Sequence, residues 1–207
     1  MKKQNSTKKS LIQYAIFGLI AIILYATGLH TEVIGFAQRG LLETGLMNPD
    51  IEQEDRVASL EGGNESLKEV SKNPDASYDL NLKDENGNLI SLSQFEGKVI
   101  FMNFWATWCP PCVAEMPAIN KLHNDLGDEV VFVMLSMDND FEKAISYKNR
   151  KEYGLPVYTQ VGPMPQIYHS SALPTTFVID TKGKLVLTHK GMADYDTKEF
   201  RNFLKSL

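Results

Sequence analysis

The stretch FWATWCPPCVAEMP, residues 104–117, contains both cysteines of this 207-residue chain. Only two prolines separate Cys109 from Cys112. A disulfide that serves stability usually closes a long loop, because the chain-entropy gain grows with the number of residues enclosed. A bond between these two cysteines encloses almost no chain. The pair is therefore expected to carry redox chemistry rather than to hold the fold together.

The sequence on either side of the cysteines predicts a strand followed at once by a helix. Residues 99–106 form a nearly continuous apolar run, which is typical of a strand buried on both faces. From Pro111 onwards apolar residues recur every three or four positions, which indicates a helix. Residues 130–135 predict a second buried strand, so this region is expected to form a right-handed parallel βαβ unit.

The rest of the second half predicts further strands and helices. We expect a hairpin over 78–92 around Asn86-Gly87, a helix over 141–148, a short strand over 157–161 and a hairpin over 175–189. Asp196 and Glu199 predict a capping box for a last helix. The predicted fold class is α/β, with a mixed central sheet flanked by helices.

Charge is distributed unevenly along the chain. The net charge is −5, although residues 1–10 contain four lysines and no acid. Residues 11–207 therefore carry 17 basic and 26 acidic side chains, a net charge of −9. An acidic body argues against nucleic acid as a partner, because phosphates require a basic face.

Residues 11–29 contain no charged side chain and predict a transmembrane anchor. At about 1.5 Å per residue such a helix just crosses a hydrocarbon core of about 30 Å. The lysines before it predict a cytoplasmic tail over 1–10 and a lipid bilayer around 11–29, with everything after residue 30 outside the inner membrane. A signal peptide cleaved near residues 26–28 is the alternative. In either case the body is exported to the periplasmic or extracytoplasmic side, where disulfides persist.

Residues 30–75 are predicted to be a stem and linker. Residues 31–46 are loosely amphipathic; a stem that keeps the domain off the bilayer is favoured, and a short juxtamembrane helix is the alternative. Residues 47–77 are rich in Glu, Asp, Asn, Gly and Ser, a composition typical of linkers. The folded domain is therefore predicted over 76–207.

The predicted junction between strand and helix has consequences for the thiols. Unpaired N–H groups and the dipole at a helix N-terminus favour negative charge, so the Cys109 thiolate is stabilised there. Cys112, one turn further along, is expected to be more buried. The predicted reaction is attack by Cys109 on a partner's disulfide, formation of a mixed disulfide and release by Cys112.

The motif resembles the active-site segment of thioredoxin-fold proteins, and it is most similar to the membrane-tethered TlpA/ResA-type thiol-disulfide oxidoreductases. Leu173-Pro174-Thr175 resembles the cis-proline loop of that family, 62 positions after Cys112. Over residues 76–207 the resemblance implies a thioredoxin-like fold with an N-terminal β-hairpin and a central helix-strand insertion. It also implies that Leu173 and Pro174 dock the partner's backbone, while Trp108 covers the disulfide and Trp105 belongs to the core.

Glu115 is the third candidate catalytic residue. The resemblance suggests a buried proton acceptor at this position, and the plain alternative is an acid in the first turn of a helix. Thioredoxin carries a buried acid in the preceding strand, where Asn103 stands here. A negative charge near the cysteines raises a thiol pKa, and neither intervening proline can donate an N–H bond to a thiolate. Both features favour a reductase over a disulfide-forming oxidant, which remains the alternative.

The resemblance implies exported protein disulfides and dithiols as partners, apocytochromes c among them, and an integral-membrane thiol carrier as electron donor. No cofactor and no metal are expected. A copper-binding chaperone of thioredoxin-like fold is the alternative of another class, with His169 as the distant ligand, but those carriers space their cysteines by three residues. Haem attachment requires histidine directly after Cys112, where Val113 stands.

Overall fold

The structure is a computed structural model, and it describes residues 4–27, 29–42 and 73–207. The helices are α1 (Gln4–Thr27), α2 (Leu29–Leu42), α3 (Pro110–Leu126), α4 (Phe141–Arg150) and α5 (Lys198–Lys205). The strands are β1 (Asn81–Asp84), β2 (Leu89–Ser91), β3 (Val99–Trp105), β4 (Val130–Ser136), β5 (Val157–Val161), β6 (Thr175–Ile179) and β7 (Leu185–Lys190). Short 3₁₀ turns cover Leu92–Phe95 and Gln166–Tyr168.

The seven strands form one mixed sheet in the order β2-β1-β5-β4-β3-β6-β7. β3, β4 and β5 are parallel to one another, and the remaining neighbours pair antiparallel. The predicted βαβ unit is thus β3, α3 and β4. The sheet and its flanking helices confirm the predicted thioredoxin-like α/β fold.

Strand β3 holds the active-site segment in the middle of the sheet. All seven of its residues are buried, as the apolar run predicted. Phe101 and Trp105 enter the core on the face that α3 and α5 cover, whereas Met102 and Phe104 enter the core on the opposite face. β3 is therefore packed between two hydrophobic cores, which fix the position of its C-terminal end and of the cysteines that follow it.

The last helix begins one residue later than the sequence pattern predicted. Thr197, not Asp196, is its N-cap, and the Thr197 hydroxyl accepts a hydrogen bond from the Phe200 N–H at 3.1 Å. The predicted capping box is therefore wrong. The Asp196 carboxylate instead accepts bonds from Lys121 and Arg201, so tertiary charge pairing decides its position.

The N-terminal residues form two helices that differ in direction by 97°. In the described part of the chain no single helix is both long and apolar enough to cross a membrane, and Ile12–Thr27 with Leu29–Gly40 meets that condition only as a bent pair. The large apolar side chains of α1 from Ile12 to Tyr25 are mostly exposed. α2 covers the first part of the predicted stem and packs on α3, while the linker prediction for residues 43–72 lies outside the described residues.

Candidate active site

Cys109 and Cys112 lie where β3 passes into α3. Cys109 is the N-cap residue of α3, and the two prolines occupy its first positions, where the missing proline N–H groups cost nothing. The cysteines form a disulfide with an S–S distance of 2.09 Å. The Cys112 N–H donates to Cys109 Sγ at 3.3 Å. The site thus combines a redox-active pair with a helix N-terminus, as the sequence predicted.

The two sulfur-bearing residues differ in their burial. Cys112 is fully buried, whereas Cys109 is 5% exposed. Trp108, directly before Cys109, is 59% exposed. The other tryptophan, Trp105, is fully buried in the core. A partner therefore meets Trp108 and Cys109 before it meets Cys112.

Asp138 holds the turn that carries Trp108. Its carboxylate accepts bonds from the Thr107 hydroxyl at 2.6 Å and from the Thr107 N–H at 3.0 Å. The Ser136 hydroxyl donates to the same carboxylate at 3.0 Å. Sequence reasoning missed Asp138, although an acid two residues after a buried strand is a usable signal.

Glu115 is a fully buried carboxyl group on α3, one turn beyond Cys112. Its Oε1 accepts a bond from Asn103 Nδ2 at 2.8 Å, and its Oε2 accepts a bond from the Ala193 N–H at 3.2 Å. Burial raises the pKa of Glu115 to about 8, because desolvation penalises the charged form more than these two donors stabilise it. A carboxyl group with this pKa exchanges protons close to the ordinary thiol range of about 8.5.

Asn103, Thr176 and Tyr195 extend this polar group through the core. Asn103 Nδ2 also donates to Thr176 Oγ1 at 2.9 Å, and the Tyr195 hydroxyl donates to the same oxygen at 2.7 Å. Burial, with the nearby Glu115 charge, raises the pKa of Tyr195 well above its ordinary value. The network keeps Asn103 and therefore Glu115 in one orientation. Thr176 and Tyr195 were not predicted, although Asn103 was noted as a polar residue in a buried strand.

The Leu173-Pro174 peptide bond is cis, as the resemblance implied. Thr175 pairs with Phe104, so Pro174 lies beside the end of β3 that carries the cysteines. Leu173 and Trp108 line one open groove. The structure therefore brings the predicted substrate-binding residues to the same side of the domain.

Apolar side chains and one histidine from other parts of the chain also line this groove. Phe104, Met137, Met164 and His169 lie along it together with Leu173 and Trp108. His169 Nε2 lies 3.0 Å from the Met164 carbonyl oxygen. Among the described residues no group of three or more His, Cys, Asp or Glu side chains is arranged to hold a metal ion.

This arrangement has the parts that thiol-disulfide exchange requires. Cys109 lies where the N-terminus of α3 stabilises a thiolate. Glu115 is an acid whose pKa suits proton exchange with a thiol, and an open groove lies beside Trp108.

Comparison with known proteins agrees with this geometry. A family model described as Redoxin matches residues 67–205. The chain is 35% identical over 151 residues to the thiol-disulfide oxidoreductase ResA of Bacillus subtilis, covering 69% of this chain and 79% of that protein. It is 33% identical over 127 residues to ResA of Halalkalibacterium halodurans, covering 60% of this chain and 72% of that protein.

Solved structures show the same fold. A crystal structure assigned to a thiol:disulfide interchange protein DsbE from Chlorobium tepidum superposes with a TM-score of 0.57 at 26% identity, covering 65% of this chain and 96% of that chain. StoA from Bacillus subtilis superposes with a TM-score of 0.52 at 22% identity, covering 62% of this chain and 98% of that chain. At 22% identity, the similarity to StoA is evidence for a shared fold and for nothing more.

Proposed function

Since this chain belongs to the redoxin family and is a thiol-disulfide oxidoreductase, we propose that it works as a reductase of protein disulfides outside the cytoplasmic membrane. The observation that carries the proposal is the buried Glu115 carboxyl group one turn beyond Cys112, at a dithiol that begins a helix. An acid that takes up the proton of the Cys112 thiol promotes the attack of Cys112 on the mixed disulfide, which is the step that completes reduction of the partner.

Cys109 is the attacking cysteine in the proposed reaction. In the reduced protein the Cys109 thiolate attacks one sulfur of the partner's disulfide, and the partner's other sulfur leaves as a thiolate that takes a proton from water. The Cys112 N–H, 3.3 Å from Cys109 Sγ, and the N-terminus of α3 stabilise the thiolate before attack. The greater exposure of Cys109 supports this assignment, since the partner's sulfur must reach it.

Cys112 is the resolving cysteine, and Glu115 is its proton acceptor. The Cys112 thiol gives its proton to the Glu115 carboxylate, and the resulting thiolate attacks Cys109 Sγ. The mixed disulfide breaks, the partner's sulfur leaves as a thiolate that takes a proton from water, and the Cys109–Cys112 disulfide forms. Two electrons have then passed to the partner. With a pKa of about 8, only the minor carboxylate fraction of Glu115 accepts this proton at neutral pH, and the transfer is nearly balanced because the carboxyl group and the thiol differ little in proton affinity.

Several features favour a reductase over an oxidant. Strong oxidants of this chemistry hold their reduced form by stabilising the attacking thiolate. Here Pro110 and Pro111 have no N–H to offer it, and no basic residue stands between the cysteines. The motif therefore stabilises the thiolate less than a cationic or N–H-rich motif does.

The substrates are proposed to be exported protein disulfides, with apocytochromes c among them, and the electrons are proposed to come from an integral-membrane thiol carrier. Partner chains would lie in the groove beside Trp108, Leu173 and Pro174. Residues 11–29 are proposed to anchor the chain, with the basic residues 1–10 inside and the domain from residue 76 outside. The uncharged composition of 11–29 and the exposed apolar side chains of α1 support this anchor.

The test is the reduction potential of the Cys109–Cys112 couple in the full chain, equilibrated with a defined dithiol buffer in mild detergent. A potential near that of thioredoxin, about −270 mV, is expected for a reductase. A potential near −120 mV, where strong oxidants lie, would make disulfide formation the function instead.

A further inference from the structure

The helix α2 has one face packed against the catalytic domain. Thr31, Gly35 and Leu42 are buried, and they recur at the spacing that places residues on one side of a helix. This face lies on the first turns of α3, which carry the cysteines. α2 is thus a part of the domain surface rather than a free spacer.

Gly35 shows how close this packing is. A Cβ atom at Gly35 would lie 3.1 Å from the Pro110 carbonyl oxygen and 3.2 Å from Val113 Cγ1. Contacts this short leave little room for a larger side chain. α2 therefore touches the backbone between the two cysteines.

Charge pairing ties the same helix to α4. The Glu32 carboxylate accepts bonds from Arg150 Nη2 at 2.6 Å and from Lys151 Nζ at 2.8 Å. Glu32 is 22% exposed, so both pairs are partly shielded from water. α2 is consequently fixed against α3 by shape and against α4 by charge.

The opposite face of α2 is apolar and exposed. Leu29, Val33 and Phe36 lie at helical spacing with exposed fractions of 45%, 55% and 73%. A row of large apolar side chains on a surface marks a binding face. This row follows directly on the exposed apolar side chains of α1, from Ile12 to Tyr25.

We infer that this outer face of α2 lies in the bilayer surface and holds the catalytic domain against the membrane. The inference rests on the anchor proposed above. Because α1 and α2 differ in direction by 97°, a helix α1 that crosses the membrane places α2 along its surface. A helix with one apolar face then buries that face among the headgroups and upper acyl chains. The opposite face of the same helix carries the domain.

This placement brings the reactive end of the domain to the bilayer. Tyr25 and Thr27 at the end of α1 line one cleft together with His30, Thr107 and Trp108. Trp108 directly precedes Cys109. The partner that this geometry fits is a dithiol or disulfide at the membrane surface, carried by an integral-membrane protein or by a chain emerging from one.

The two tryptophans of the chain provide the probe for a test. Full-length wild type is reconstituted in vesicles of phosphatidylcholine and phosphatidylglycerol, with and without a lipid that carries a nitroxide on its headgroup. Nitroxide quenches tryptophan fluorescence at short range, and the Trp108→Phe variant reports the contribution of buried Trp105. We expect nitroxide lipid to quench wild type well beyond the level of Trp108→Phe.

Two variants separate the contribution of α2 from that of the anchor. The double variant Val33→Ser/Phe36→Ser changes only exposed side chains of α2. Leu89→Ser is the matched control, since Leu89 is 70% exposed on the edge strand β2. We expect quenching to fall to the Trp108→Phe level in the double variant and to stay at the wild-type level in Leu89→Ser.

Other results would overturn the inference. Wild type that stays with the vesicles after alkaline carbonate extraction but shows no Trp108 quenching would mean that the domain is held away from the bilayer. Equal quenching in wild type and the double variant would mean that the outer face of α2 is not what holds it. A double variant that turns a dimer into a monomer without changing the quenching would assign this face to a second copy of the chain. Loss of wild type from the vesicles would instead refute the proposed anchor.

Discussion

Replacing Glu115 by glutamine is expected to reverse the order of stability of the two proteins as the pH rises. Burial raises the pKa of Glu115 from 4.5 to about 8, so the folded protein keeps a proton that the unfolded chain loses. Between these two values the folded state binds more protons than the unfolded state. The free energy of unfolding of the wild type must therefore fall as the pH rises through this interval.

The size of the effect follows from the same shift. One pKa unit corresponds to about 1.36 kcal/mol, so the shift costs the wild type roughly 5 kcal/mol once the pH exceeds 8. Glutamine has the shape of the carboxyl group and no charge, so Glu115→Gln removes this cost. The substitution has a cost of its own: Asn103 can flip so that Oδ1 accepts from the new amide, but Nδ2 then takes the buried position where Oδ1 has no hydrogen-bond partner in the described part of the chain.

The assay is guanidinium unfolding of the oxidised full chain in mild detergent at several pH values from 5 to 9. The oxidised state keeps both cysteines out of the titration. We expect Glu115→Gln to fall slightly below the wild type at pH 5 and to exceed it by roughly 3–4 kcal/mol at pH 9, because a small part of the cost is already present at pH 5. Glu129→Gln is the matched control. The Glu129 side chain is 60% exposed, and its one ion pair among the described residues is a long one, 3.7 Å from Oε1 to Lys205 Nζ.

A constant difference between wild type and Glu115→Gln across this pH range would refute the reasoning. It would mean that Glu115 has the same pKa in the folded and unfolded chain, and the proton-acceptor role proposed for it would lose its physical basis. A pH-dependent difference of equal size in Glu129→Gln would assign the effect to net charge rather than to burial.

Three further outcomes are expected. Cys112→Ser is expected to accumulate mixed disulfides with its partners, visible on non-reducing gels, whereas Cys109→Ser is not; the opposite pattern would reverse the two roles. Asn103→Ala removes a donor to Glu115, so the pKa of Glu115 should rise further and the pH midpoint for resolution of the mixed disulfide, which needs the Glu115 carboxylate, should move upward; an unchanged midpoint would contradict the proposed proton transfer. Phe101→Ala removes a ring packed 5.2 Å from those of Phe132 and Tyr195, so unfolding should become easier by about 3–5 kcal/mol, and a loss below about 1 kcal/mol would show that the core on the α3 side can collapse around the gap.

The central elements of the fold could be predicted from local pattern. The apolar run before Cys109 forms β3, and the residues with a period of three to four after Pro111 form α3, because both periodicities follow from burial of one or two faces. The start of α5 could not be placed to the residue. Asp196 and Thr197 are both good caps, and contacts of Asp196 with Lys121 and Arg201 decided between them.

Some features of the candidate site could likewise be predicted from local sequence, whereas others required the tertiary structure. The sequence alone determined the redox pair, the position of Cys109 at a helix N-terminus and the candidacy of Glu115, since these depend on residues within two turns of one another. Only the tertiary structure showed that Asn103 and the Ala193 N–H bind Glu115, because these groups lie 12 and 78 positions from it along the chain. Burial, and with it the pKa of Glu115, depends on elements packed from both sides, which no local pattern specifies.

The N-terminal region shows the same limit most clearly. The lack of charged side chains over residues 11–29 determined the membrane prediction. The loose amphipathic pattern of residues 31–46 did not decide whether they form a stem or a short helix. The structure placed α2 on α3 because Gly35 permits a close approach and because Arg150 and Lys151 lie opposite Glu32. That choice depends on shape and charge contributed by residues more than 70 positions away, which no local pattern contains.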